Sequence, residues 1–200
     1  RPKFSERLRK LSFIMAGLYE KYKKETVPAL VKQFGWRNEN QAPRLEKATV
    51  NCGFGRMVSG KTKDEQKKIQ EAIARDLTQI CGQRAVICAA RKSIAGFKIR
   101  EGQSVGAKIT LRRRRMYDFL ERAITVALPR TRDFQGIPSK NVDRDGNLTF
   151  GIKEHIAFPE VSPEKINFIF SFEVTVTTTA RNREEALAMF KSLGFPIKKD

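Results

Sequence analysis

The sequence predicts an α+β fold, an antiparallel sheet with helices packed on one face. Two stretches carry that prediction. Lys63 to Ile80 is the clearest helix, with Ile69, Ala72, Ile73, Leu77 and Ile80 on one face and acids and lysines on the other. Ile166 to Thr179 (INFIFSFEVTVTTT) alternates well enough for a long strand. Other strand-like stretches lie between helices, so the layers form a sandwich. One sheet face would pack on helices and the other could meet a ligand.

The elements follow in order. Arg1 to Lys10 is basic and reads as an extension that a partner would have to order. From Leu11 to Phe34 apolar residues recur at helical spacing, and Pro28 makes this either one bent helix or two. Arg44 to Cys52 reads as a strand, turned by Gly53-Phe54-Gly55. Gly82 ends the helix that starts at Lys63, as a C-terminal cap would. Arg84 to Cys88 and Val105 to Leu111 read as strands on either side of a basic loop. Arg113 to Leu128 is a second strong helix, stopped by Pro129. Arg130 to Asn147 lacks period and is long for a connection, which is often a mark of function. Leu148 to Ile152 is a short strand, and Asn182 can cap a last helix from Glu184 to Leu193.

Charge points to the partner. The chain has 200 residues, 40 Lys plus Arg, 22 Asp plus Glu and a formal net charge of +18. Arg91 to Arg115 holds nine of the cations against Glu101 alone, a net +8, with Ile94, Phe97, Ile99, Val105, Ile109 and Leu111 among them. A wholly disordered arm would lack those apolar residues. A basic loop feeding a strand that ends in a basic corner suits a polyanion, and a phosphate backbone is the commonest one. Arg112 to Arg115 would place four cations at a helix N-terminus, against the macrodipole, so a partner's phosphates are a reasonable cause.

Other chemistry finds little support. Cys52, Cys81 and Cys88 have no CxxC spacing, so buried small side chains in a reducing, cytoplasmic setting are expected, not zinc or disulfides. No apolar run approaches the roughly 20 residues of a membrane span. Gly53-Phe54-Gly55-Arg56-Met57-Val58 lacks the third glycine of a dinucleotide fingerprint and reads as a tight turn. There is no GxxxxGK[ST] loop, and the one histidine, His155, belongs to no HExxH or Cys–His constellation. No catalytic residue, metal or cofactor is assigned. Thr110, Thr175, Thr177, Thr178, Thr179 and Asn51 would put hydroxyls and an amide on a sheet face, groups that bind ribose and phosphate well.

Several segments match a known family: TVNCGFG, ARKSIAGFKIREG, KITLRRRRMYDFLERAI, PRTRDFQGIPSK, DRDGNLTFGIKEHIAFPE and VTVTTTA, in that order. Over about Tyr19 to Lys199 the chain resembles the bacterial-type large-subunit ribosomal protein five family, the 5S ribosomal RNA binders. The resemblance implies a two-layer sandwich whose concave sheet face meets 5S RNA, with no catalysis and no cofactor. It assigns 5S RNA contacts to Asn51, Gln83, Thr110 and Arg112, with Gly53 and Gly55 nearby. Arg91 and Lys92, at the base of the basic loop, are assigned to the same site. The loop from Ser93 to Val105, with Gly96, Phe97, Lys98 and Arg100, would face transfer RNA in the P site. Arg132, Asp133, Phe134, Asp143 and Asp145 would meet a small-subunit head protein, on a contact loop, Phe134 to Gly151, that lies outside the core. Further implied partners are 23S-type RNA and the neighbouring 5S-associated proteins of the central protuberance. The ribosome would be cytoplasmic or organellar. Residues 1–17 would be an extension and 18–200 a single RNA-binding domain.

The chain departs from that family's pattern in two places. Members carry Leu-Asn-Met-Gly where this chain has Val50-Asn51-Cys52-Gly53. They commonly have Arg-Gly-Glu-Arg where it has Arg112 to Arg115. Two other functions remain open at this stage: an unrelated basic DNA-binding domain, and a nucleotide-dependent enzyme supported only by the glycine turn.

Overall fold

A computed structural model describes residues 17–161 and 168–198. Five antiparallel strands form one sheet in the order β2-β3-β1-β5-β4. The strands are β1 (Leu45–Gly53), β2 (Val86–Ala89), β3 (Ser104–Leu111), β4 (Leu148–Ile152) and β5 (Phe172–Thr178). The helices are α1 (18–34), α2 (Gly55–Val58), α3 (Lys63–Cys81), α4 (113–130) and α5 (Arg183–Leu193). The fold is the α+β class that the sequence predicts.

Alternation along the strands builds the core. Ala48, Val50 and Cys52 on β1, Ala107, Ile109 and Leu111 on β3, and Val174 and Val176 on β5 are buried on one face. They join Ile69, Ile73 and Leu77 of α3, Phe119 and Leu120 of α4, and Met189 and Phe190 of α5 in one cluster. At ~25 cal/mol per Å² of apolar surface removed from water, such a cluster is the main term holding the layers together. β2 lies at an end of the sheet and pairs on one side only, with β3; its Val86 is 58% exposed.

Helix α3 begins at Thr62, where the Glu65 carboxylate accepts hydrogen bonds from the Thr62 backbone N–H and hydroxyl, both at 3.0 Å. It ends at Gly82, whose φ of +64° and N–H to the Thr78 carbonyl close the last turn. α1 is one continuous helix. A wide π turn at Tyr22–Thr26 precedes Pro28. The same device recurs in α4, where Ala123–Ala127 widens just before Pro129. Proline has no N–H and its ring crowds the carbonyl four residues back, so widening the turn lets the helix pass through it. Pro129 therefore does not stop α4 as expected; helical structure continues to Arg130.

Two further expectations change, and a third lies outside the described residues. The strand read from Ile166 starts at Phe172; residues 168–171 are irregular, and 162–167 lie outside the described residues. The extension at residues 1–17 lies outside them too, apart from Gly17. The segment from Phe134 to Gly151 is not a free contact loop. Ile137, Val142, Leu148 and Phe150 are buried in the core. Ile137 also exchanges backbone hydrogen bonds with Pro196 (2.7 Å) and Lys198 (2.8 Å). Apolar residues spaced without period gave no sign of this.

His155 is fully buried, stacked on Phe170 at 4.1 Å between centroids, with Nε2 3.7 Å from an Asp76 carboxylate oxygen. Burial holds its imidazole below the ordinary value, with the Asp76 charge partly opposing. The unfolded imidazole, near 6.5, takes up a proton that the folded one resists. The stability carried by neutral His155 is thus fully present above pH ~6.5 and is lost as pH falls toward the folded value. We expect the thermal midpoint to drop between about pH 7.5 and about pH 5.5, with a smaller drop in His155→Gln; equal drops in both proteins would show that other groups set the acid limit.

Candidate nucleic-acid interface

The sheet face opposite the core is a polar surface built by strand register. Thr49 pairs with Thr110 on one side and Thr175 on the other, and Thr175 pairs with Thr149. Four threonines therefore cross β3, β1, β5 and β4 in a row about 14 Å long at ~4.8 Å per strand. The Thr149 and Thr175 hydroxyls are 3.2 Å apart. The next row is Val86, Lys108, Asn51, Glu173 and Gly151. Lys108, Asn51 and Glu173 are exposed. Gly53, Gly106 and Cys88 form the row beyond.

No aromatic residue occurs on the open-face positions of the five described strands. The face cannot stack unpaired bases. It can hydrogen-bond ribose hydroxyls and phosphate oxygens, which suits a folded RNA read by shape and backbone. Asn51, Thr110, Thr175 and Thr177 lie on this face as expected. Thr178 does not; it is buried and donates to the Gly146 carbonyl at 2.9 Å. Thr179 lies just beyond β5, its hydroxyl accepting from the Arg44 N–H at 3.0 Å. Lys108, Thr49 and Thr149 were missed; the alternation around Asn51 and Thr110 could have found the first two.

Cations flank the face at both ends of β3. Arg112 leads into α4 at one end and lies 3.6 Å from Glu46. Gln83 is near that end, donating from Nε2 to the Thr110 carbonyl at 3.1 Å. Arg91 and Lys92 lie at the other end, about 25 Å away along eight residues of strand. The basic residues grouped in one site thus stand at two margins of the face.

The arm that follows Ala90 is closed at its base by hydrogen bonds between Ala90 and Gln103 (2.8 Å) and between Gly102 and Ala90 (3.0 Å). Ser93, Gly96, Lys98 and Arg100 are exposed on it, and Phe97 is 67% exposed. It is not a strand-like hairpin. Residues Ala95–Phe97 form a tight helical turn, Lys98 is left-handed at φ +52°, and an Ile94–Ile99 bridge closes the tip. A groove of about 790 Å³ runs between the arm and the Gly53–Gly55 turn, lined by Arg56, Phe97, Lys98 and Ile169.

The five residues expected to meet a protein partner are not together. Arg132 and Asp133 line a cleft with Lys153 and Glu154, past the end of β4 nearer the arm. Asp143 and Asp145 lie before its other end, about 17 Å away. The Asp143 carboxylate is bound to the Asn147 N–H (2.7 Å) and side-chain amide (2.9 Å), and Phe134 packs against the core. Asp145 is exposed.

Cys52 and Cys81 are buried, and burial pushes both thiols up to about 12. No group of three or more His, Cys, Asp or Glu that could hold a metal occurs among the described residues, nor does a helix long and apolar enough to cross a membrane.

Comparison with known proteins decides the family. The family described as Ribosomal protein L5 matches residues 38–100, and a second model, for the C-terminus of the same ribosomal family, matches residues 104–197. The chain belongs to the ribosomal protein L5 family. It is 49% identical over 184 residues to "Large ribosomal subunit protein uL5" of Chromobacterium violaceum, covering 92% of this chain and 99% of that protein. The uL5 proteins of Neisseria gonorrhoeae (48%, the same coverage) and Shewanella piezotolerans (46% over 185 residues, 92% and 100%) are similarly close. As an L5 family member the chain is a structural ribosomal protein and not an enzyme, so the nucleotide-dependent enzyme and the unrelated DNA-binding domain both fall away. RNA binding is general to the L5 family.

Proposed function

We propose that the chain is a constituent of the large ribosomal subunit that binds 5S RNA through the open sheet face, within the central protuberance. The observation that carries this is the row of four threonines beside Lys108 and Asn51, polar and without an aromatic side chain. Residues 18–200 act as the RNA-binding unit, and the basic segment 1–17 extends it. 23S-type RNA and the neighbouring 5S-associated proteins complete its surroundings on a ribosome in the cytoplasm. The arm faces P-site transfer RNA, and the Arg132–Asp133 cleft, toward the same end of the sheet, takes part in a bridge to a small-subunit head protein. An arm whose cations are exposed is suited to backbone contacts that ignore sequence, as every transfer RNA requires.

One comparison tests both parts. The full chain should bind a 5S RNA transcript at least about tenfold more tightly than duplex DNA of equal length at matched salt. Lys98→Glu with Arg100→Glu should leave 5S affinity within about threefold and weaken P-site transfer RNA retention in reconstituted ribosomes by roughly tenfold. Equal affinity for DNA would sink the 5S reading; loss of 5S binding in the double variant would place the arm in the 5S interface.

A further inference from the structure

Arg113 opens α4 with φ +52°, a left-handed conformation that glycine adopts freely and that crowds the Cβ of any other L-residue. No packing offsets that cost, because Arg112, Arg113, Arg114 and Arg115 are all exposed. The first turn contains no acid, so these cations face the positive end of the helix dipole. Arg112 has Glu46 at 3.6 Å and Arg114 has Asp118 at 3.8 Å. Among the described residues Arg113 and Arg115 form no ion pair. Steric strain, dipole and like-charge repulsion all oppose this arrangement, and among the described residues the acids that pair with the cluster, Glu46 and Asp118, do so at Arg112 and Arg114. The cluster directly continues β3, whose Lys108 and Thr110 lie on the open sheet face.

We propose that Arg113 and Arg115 form a phosphate-binding rim that extends the RNA interface past Arg112, onto backbone phosphates of the 5S RNA. This rests on the 5S reading above. Both guanidiniums are uncommitted among the described residues, and each can take a phosphate bidentately. The left-handed residue gains a cation at the cost of the local conformation. A merely solvated corner would gain nothing by that exchange.

The test uses the full chain, a 5S RNA transcript and a salt titration from about 0.05 to 0.3 M. Arg113→Gly should do two opposite things: raise the thermal midpoint by about 2–4 °C, because glycine relieves the backbone, and weaken 5S binding. Arg115→Gln should weaken binding with no gain in stability. Each should reduce the slope of log affinity against log salt by about 0.7–0.9, and together they should cost roughly tenfold at about 0.1 M. A stabilised Arg113→Gly with an unchanged slope overturns the rim and leaves the sheet-face reading intact. A less stable Arg113→Gly overturns the strain argument. An unsubstituted chain that does not prefer the 5S transcript to duplex DNA sinks both proposals.

Discussion

Lys108→Glu is expected to weaken 5S RNA binding by about a hundredfold at ~0.1 M salt, with the thermal midpoint nearly unchanged. Lys108 lies on β3 beside Asn51 and Val86, in the middle of the open face, with its side chain exposed and no ion pair among the described residues. Its charge is therefore available to a phosphate, and the fold does not depend on it. Reversal removes one attraction and adds a repulsion at a surface that already carries Glu173 across β1 from it. Lys108→Gln should show about half of the logarithmic effect, since it removes only the attraction. Filter binding across salt and a thermal melt suffice. A loss below threefold for Lys108→Glu would mean that RNA does not lie across the centre of the sheet.

Gly146→Ala is expected to cost about 3 kcal/mol of stability, or roughly 6–12 °C in thermal midpoint for a chain of this size. Gly146 has φ +79°, and a Cβ there would lie 2.8 Å from the Ala180 Cβ, 3.0 Å from the Ala186 Cβ and 3.3 Å from the Thr178 hydroxyl. The backbone cannot easily move away. The Gly146 carbonyl accepts from the Thr178 hydroxyl at 2.9 Å, and the Asn147 side-chain oxygen accepts from the Thr178 N–H at 3.2 Å. Gly60, at φ +75° with open space around it, is the control. Gly60→Ala should cost only about 1–2 kcal/mol from the backbone term. If denaturant unfolding gives equal losses at both glycines, the close contacts at Gly146 relax and only φ matters.

What the sequence revealed depended on how local the signal was. α3 was legible from periodic apolar residues and a terminal glycine, all within one segment. β4 was legible for the same reason. The open sheet face was only half legible. Alternation puts Asn51 and Thr110 on faces of their own strands, but only register places Thr49 beside both Thr110 and Thr175. Register comes from pairing between distant segments, so the threonine row could not be read from any single stretch. The arm misled in the opposite way. Phe97, Lys98, Ile99 and Arg100 alternate as a strand would, yet the Ile94–Ile99 bridge turns the chain before a ladder can form. Pro129 reads as a stop because proline lacks a donor; the widened turn before it removes that need.

β2 bears on how a copy of this protein behaves when no RNA is bound. Four residues, Val-Ile-Cys-Ala, present one ladder that is unpaired among the described residues, with Val86 on the open face. Such an edge is a ready template for a strand from another molecule. Mutual repulsion opposes that pairing, since each copy carries a formal +18. That barrier acts over about 10 Å at 0.1 M salt and shrinks to about 3 Å at 1 M. Concentrated salt, the usual means of stripping RNA from a basic protein, therefore removes the nucleic acid and the colloidal barrier in the same step. Stock preparations should stay monodisperse longest when a polyanion replaces the RNA before the salt is raised.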